Sequence, residues 1–315
     1  MEQRVAGNTG LSVSILGFGA SPLGGVFGPV TQADANRMVG FAVDSGINLF
    51  DVSPYYGITV AETVLGHALQ SVDRDRVVLA TKVGRYGDRD FNFSAERVTR
   101  SVEESLRRLQ TDVIDIIQCH DIEFGSLRQI IDETLPALQK LRAQGKVRYV
   151  GITGLPMRVF RTVLAETPVD TILSYCHHTL TDNALDALLP QLTDAGTGVF
   201  NAAPYGMGLL TGRPLPAWHP APVELQNACF RAAEHCTARG ASLPELALQW
   251  SLQDTRIAST FAGMGSVEQL QQNIRWASVL PDADLLAEVS AILKPVHNIT
   301  WPSGLPENND TEAAQ

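Results

Sequence analysis

The amino-acid sequence predicts an α/β protein of the (β/α)8 type, a TIM barrel, and three observations support this. Eight short apolar runs recur along the chain, at 15–18, 47–50, 77–80, 114–117, 147–152, 171–175, 198–202 and 257–261. Segments of helical periodicity separate them, the alternation expected of a parallel sheet covered by helices. Asp51, Lys82 and His120 stand at or just past the ends of such runs, with Tyr56 a few residues on. A parallel barrel collects its site residues at those ends.

Each element has its own cues. Arg4-Val5, Asn8-Thr9-Gly10 and the run 11–13 read as a hairpin closing the amino-terminal end of the barrel. Ala35, Met38, Val39 and Ala42 share a helical face behind a capping-like Thr31–Asp34. Val98, Val102, Ser105, Leu106 and Leu109 do the same behind Ser94. Leu225, Ala228, Cys229, Ala232 and Cys236 line another face. No low-complexity linker divides the chain, so one domain is expected over 1–315, with a flexible polar tail from about 303.

Composition narrows the function classes. The 315 residues are 44% hydrophobic and 18% charged, enough for a large core. The formal charge is 24 − 34 = −10 with no basic block, which argues against nucleic acid and anionic membranes as partners. No apolar stretch approaches the ~18 residues of a membrane span, and the opening Met1-Glu-Gln-Arg-Val reads as the start of a soluble domain. A cytoplasmic protein, monomeric or weakly homo-oligomeric, is expected. The four cysteines form no CxxC pair and read as buried thiols. Cys119-His120-Asp121 and Cys176-His177-His178 lack a second spaced ligand pair, so no metal is expected. The sequons at Asn92 and Asn298 read as chance. Gly17-Phe-Gly19 follows a strand but runs into Ala20-Ser21-Pro22 with no third glycine, which rejects a Rossmann fingerprint.

The four residues at the strand ends suit proton and hydride chemistry. A phenol with an ordinary pKa near ~10 exchanges protons at neutral pH only if its anion is favoured, and a buried ammonium does that. Lys82 would supply the ammonium, Asp51 would keep it charged, Tyr56 would be the acid or base, and His120 would orient a carbonyl or alcohol. Singly, each has an ordinary structural reading, as a solvated lysine, a satisfied histidine or a loop aromatic. Together they differ. Asp51-Val-Ser-Pro-Tyr55-Tyr56-Gly57, Ala61-Glu62-Thr-Val-Leu-Gly66, Ala80-Thr81-Lys82 and Gln118-Cys119-His120 closely resemble the signatures of the aldo-keto reductase superfamily, in its order and spacing. The resemblance covers nearly the whole chain and implies the same barrel with its amino-terminal hairpin.

It also implies a nicotinamide cofactor lying across the barrel mouth. The matching positions are Gly19, Ala20 and Ser21, with Asp51, and Ser174 where the family more often has glutamine. Ala203, Pro204, Tyr205, Met207, Gly208 and Leu209 match the loop that wraps the pyrophosphate. Gly263, Met264, Gly265, Gln269, Gln272 and Asn273 match the adenosine end. Members using the phosphorylated cofactor carry lysine or arginine where this chain has Gly263 and Gln269, so NAD is expected. Ala202 stands where an aromatic usually stacks on the nicotinamide. Asp121 follows His120 where members taking apolar substrates carry tryptophan, which implies a polar substrate.

Further segments, Gly17–Gly24, Cys119–Phe124, Leu173–His177, Trp218–Pro222 and Thr300–Gly304, resemble members that oxidise sugars. They imply oxidation of an aldose at its anomeric carbon, L-galactose to L-galactono-1,4-lactone foremost. L-fucose, D-arabinose, L-gulose and pyridoxal are the alternatives. Substrate contacts are expected at Tyr55, Asp121, His178 and Trp218. The competing functions are an NADPH-dependent carbonyl reductase and, in another class, a barrel that senses nicotinamide without catalysis.

Overall fold

The computed structural model of the protein describes residues 1–26 and 28–310. A two-stranded antiparallel hairpin, β1 (Gln3–Val5) and β2 (Ser12–Ser14), precedes eight parallel strands. These are β3 (Leu16–Gly19), β4 (Leu49–Asp51), β5 (Val78–Val83), β6 (Ile114–Cys119), β7 (Val147–Gly154), β8 (Thr171–Tyr175), β9 (Gly198–Ala202) and β10 (Ser259–Gly263). They form a closed barrel in chain order, with β10 pairing back onto β3. The predicted runs fall on these strands, shifted by at most a few residues at their ends.

The lower interior of the barrel is apolar. Leu49, Val78, Ala80, Ile116, Leu173, Phe200 and Phe261 pack with Ala6, Leu11 and Val13 of the hairpin region, so the hairpin seals the amino-terminal end as expected. Polar ties hold it there. Ser14 N–H donates to Asn48 Oδ1 at 2.7 Å, and the Arg4 guanidinium donates to the carbonyls of Leu252, Asp254 and Ile257. With the bottom closed by hydrocarbon, the polar strand ends face the other rim.

The helices form for the reasons their sequences suggest. Thr31 and Ser94 accept from the backbone N–H groups of Asp34 and Arg97, capping Gln32–Asp44 and Ala95–Leu109. Their apolar faces are buried. Helices Val223–Ala238 and Ala283–Leu293 enclose a second apolar cluster that includes Cys229 and Cys236. All four cysteines are buried and unbonded. No helix among the described residues is long and apolar enough to cross a membrane.

The Ala61–Gly66 signature is structural. Glu62 is fully buried, accepting from Thr81 Oγ1 and Arg108 Nε, each at 2.6 Å, and so joins β5 to helix Ala95–Leu109. Gly66 lets its own helix, Val60–Leu69, close on Ala95–Leu109, because a Cβ there would stand 2.2 Å from the Arg108 carbonyl oxygen.

Residues 303–310 depart from the expected flexible tail. Leu305 N–H and Asn308 Nδ2 donate to the Glu123 carbonyl at 2.8 and 2.9 Å, and Asp310 accepts from the N–H groups of Met157 and Arg158 at the start of a helix. Composition hid this because the binding is to backbone rather than to an apolar face. The remainder of the expected tail, 311–315, lies outside the described residues. The Glu123 side chain is fully buried, its Oε1 accepting from Tyr175, Ser303 and Leu155 while Oε2 has no partner.

Two stability predictions follow from these contacts. Gly66→Ala should cost about 1–3 kcal/mol of unfolding free energy in urea titration, since backbone must move to admit the methyl. Burial, reinforced by the nearby Asp121 charge, raises the Glu123 carboxyl from its ordinary 4.5 to about 8. Between those values the unfolded chain releases a proton that the folded chain keeps, so the wild type should lose stability as pH rises through that window. Glu123→Gln, which mimics the protonated acid, should lose less stability than the wild type over the same window.

Candidate active site

The loop after β4 and the ends of β5 and β6 assemble the site. Parallel pairing places Asp51 beside Ala80 and Lys82 beside Gln118. Lys82 Nζ donates to Asp51 Oδ2 at 2.5 Å and to the Val52 carbonyl at 2.9 Å. Both side chains of this ion pair are almost completely buried. Lys82 Nζ also lies 5.0 Å from the centre of the Tyr56 ring. The His120 ring stands edge-on to Tyr56 with centroids 5.7 Å apart. The four predicted catalytic residues therefore meet at one rim of the barrel.

Their charge states follow from burial and from one another. Burial works against the Lys82 ammonium, but Asp51 and Tyr56 together outweigh it and raise the lysine above its ordinary value. Burial pushes the Tyr56 phenol up to about 12, and Lys82 offsets only part of that rise. The expectation that Lys82 would bring Tyr56 toward neutrality is thus met in sign but outweighed in size. The phenol keeps its proton at neutral pH and is poised as an acid. His120 is pushed down to about 3, chiefly by burial, and is neutral.

Ser53, not foreseen from the sequence, is hydrogen-bonded to the histidine ring. Its hydroxyl accepts from Tyr55 N–H at 3.1 Å and lies 2.9 Å from His120 Nδ1. With the serine proton given to Nδ1, the imidazole proton sits on Nε2 and serves as a donor. The signal was present in the Asp51-Val-Ser53 run, two residues past the carboxylate.

The expected substrate residues divide. Tyr55 lies at the mouth, its ring 6.0 Å from His120 and its hydroxyl donating to Asp88 at 2.9 Å. Asp121 is buried, with Oδ2 3.6 Å from His120 Nε2. It forms an ion pair with Arg85, whose guanidinium lies 3.8 Å from the Tyr55 ring centre. Arg85 was missed because it lies three positions past Lys82, beyond the strand end, and only the fold turns it back onto Asp121. His178 is stacked on Trp250 and bonded to Asp186, so its observed contacts lie in the helix layer rather than with the four catalytic residues. Trp218 is 62% exposed and stacks on His219, again apart from them.

The expected cofactor positions form a track along the same rim. Gly263 and Gly265 face Ser21 and Pro22, and a Cβ on either glycine would stand 3.6 Å from the proline ring. Ala203, Gly206, Met207 and Gly208 all have positive φ, a loop conformation that turns backbone groups outward. Ser174 Oγ is buried without a partner. Tyr205 donates to Asn273 Oδ1 at 2.9 Å, leaving the Asn273 amide nitrogen as a donor. Gln269 accepts from Gly265 N–H. This donor set fits a dinucleotide. Arg37, on helix Gln32–Asp44, is the one base the sequence did not suggest here; it acts on Glu268 and pairs with Asp34, so two acids surround it.

Buried ion pair, proton-bearing phenol, neutral histidine and dinucleotide track on a closed barrel define a nicotinamide-dependent carbonyl or alcohol oxidoreductase. The Aldo/keto reductase family profile matches residues 15–294, and the chain belongs to that family. It is similar to L-galactose dehydrogenase of Arabidopsis thaliana, 52% identical over 98% of this chain and 99% of that one. It is 30% identical to D-threo-aldose 1-dehydrogenase of a Pseudomonas species over 90% and 95% of the two chains. Among solved structures, an aldo-keto reductase from Bacillus halodurans in its holo form superposes with a TM-score of 0.80 at 27% identity, covering 98% of this chain and all of that one.

Tyr56→Phe keeps the ring but removes the proton, so kcat should fall roughly 10²-fold or more while cofactor affinity measured by fluorescence titration holds. Lys82→Met should do comparable damage and move residual activity to higher pH, since the phenol then ionises later.

Proposed function

We propose that the protein oxidises an aldose at its anomeric carbon with NAD, L-galactose to L-galactono-1,4-lactone foremost. The observation that supports this best is the charged Asp121–Arg85 pair beside His120, a lining suited to a polyhydroxylated substrate. Similarity to proteins named for sugar 1-oxidation points the same way. Four buried, unbonded cysteines suit a reducing compartment, and we place the enzyme in the cytoplasm as a monomer or weak homo-oligomer.

The chain's own residues divide the work. His120 Nε2–H donates to the anomeric oxygen, and Tyr56, once its own phenol proton has left to solvent, bonds to the same oxygen as phenolate and takes its proton. Lys82, held charged by Asp51, stabilises the phenolate. Removing that proton converts the C1–O bond toward the lactone carbonyl as hydride leaves C1. Gly19, Ala20, Ser21, Ser174, Ala203–Leu209 and Gly263–Asn273 would hold the cofactor. When bound, oxidised nicotinamide supplies a positively charged hydride acceptor.

The adenosine end favours NAD over its 2′-phosphorylated form. Glu268 and Asp34 lie around Arg37, and Gln269 offers no charge. A 2′-phosphate would be desolvated there without a free cationic partner. Assaying nucleotide reduction with NAD or NADP and a panel of aldoses and pyridoxal tests the proposal. L-galactose should give the largest kcat/KM, and NAD should exceed NADP by at least about tenfold, or ~1.4 kcal/mol. Gln269→Arg should narrow that gap. Cofactor binding without turnover of any aldose would sink the reading and leave a non-catalytic barrel.

A further inference from the structure

Asp121 is held more firmly than a rim residue needs to be. Its backbone is left-handed, φ 49° and ψ 59°. Thr153 Oγ1 accepts from its N–H at 2.9 Å and donates to its Oδ1 at 3.3 Å, while Arg85 holds Oδ2. Burial opposes the carboxylate charge, but His120 and Arg85 beside it outweigh that and hold the carboxyl below its ordinary value. At neutral pH His120 is uncharged, and the cations that act on the carboxylate are Arg85 and, behind it, Lys82. Around this anchored carboxylate, Arg85 Nε is buried without a protein partner.

The 3.6 Å from Asp121 Oδ2 to His120 Nε2 is too long for a hydrogen bond, so the imidazole proton is left for substrate. An oxygen bound to Nε2 at about 3 Å can stand no farther than about 6.6 Å from Oδ2, within reach of a group carried on the neighbouring carbon. In a cyclic aldose the reacting carbon has two heavy neighbours besides that oxygen. The ring oxygen can only accept, and a carboxylate cannot bond to it. The neighbouring C2 carries a hydroxyl that can donate, and a carboxylate has about four lone-pair sites, of which Thr153 and Arg85 use two.

We infer that Asp121, fixed by Arg85 and Thr153, accepts a hydrogen bond from the C2 hydroxyl and makes that hydroxyl a condition of efficient oxidation. The inference rests on the aldose reading above and adds which hydroxyl is read and by what. Arg85 and Thr153 are positioning residues here, whereas Asp121 touches substrate.

The test compares kcat/KM for L-galactose and 2-deoxy-L-galactose with NAD, in the wild type and in Asp121→Asn. Asparagine tolerates the left-handed backbone but lacks the charge. The wild type should lose about 10–100-fold on the 2-deoxy sugar, the range of a charge-assisted hydrogen bond with a buried partner. In Asp121→Asn that penalty should shrink to under about threefold, because the coupled partner is gone. Thr153→Val, which frees one carboxylate oxygen, should shrink it in part and serves if Asp121→Asn does not fold. Equal use of both sugars by the wild type overturns the inference while leaving aldose oxidation intact, and so does an undiminished penalty in both variants. Failure to oxidise any aldose overturns it together with the reading beneath it.

Discussion

A buried ammonium held by one carboxylate organises this molecule's rim. Lys82 and Asp51 come from neighbouring strands, and neither charge is tolerable alone in so dry a place. Parallel pairing of β4 and β5 brings them together at no further cost in chain geometry. Once joined, they partly relieve the Tyr56 phenol, while burial keeps the His120 imidazole neutral. The hydrocarbon plug below and the helices outside serve the same end, since they exclude the water that would make the pair unnecessary.

The rim then divides into regions of different electrostatic character. At its centre, burial dominates and sets proton positions. At the mouth, Asp121 and Arg85 place two compensating charges against the aromatic faces of Tyr55, Phe91 and Phe124. Around Glu268, Arg37 is flanked by that acid and by Asp34. The charge of Asp121 also reaches Tyr56 and Asp51, so the mouth and the centre of the rim are electrostatically linked.

Much of this was legible in the sequence. The strands were readable because a parallel barrel buries both faces of each strand and leaves continuous apolar runs, and the meeting of Asp51, Tyr56, Lys82 and His120 at one rim was readable because they follow those runs. What stayed hidden depends on three-dimensional return. Ser53 shows its role only when His120 arrives from a strand 67 residues away. Arg85 meets Asp121 only through the turn after β5. Arg37 reaches the adenosine end from the first large helix. Chemical type also cannot say which side of a loop a side chain takes, and the structure turns His178 onto Trp250. Tyr56 shows a further limit, since the neighbours were correct in kind while the balance between desolvation and Coulomb attraction required the actual depth.

The ordered residues near the carboxyl terminus have a consequence for engineering. Because 303–310 are bonded to the Glu123 carbonyl after β6 and to the start of the helix after β7, the segment acts as one more loop of the functional rim. Loop grafts between relatives, meant to exchange sugar preference, would have to carry this segment along with the loops it binds. A swap that left it behind would set a foreign strap against a new surface, and the graft would be judged on the mismatch instead of on the transplanted chemistry.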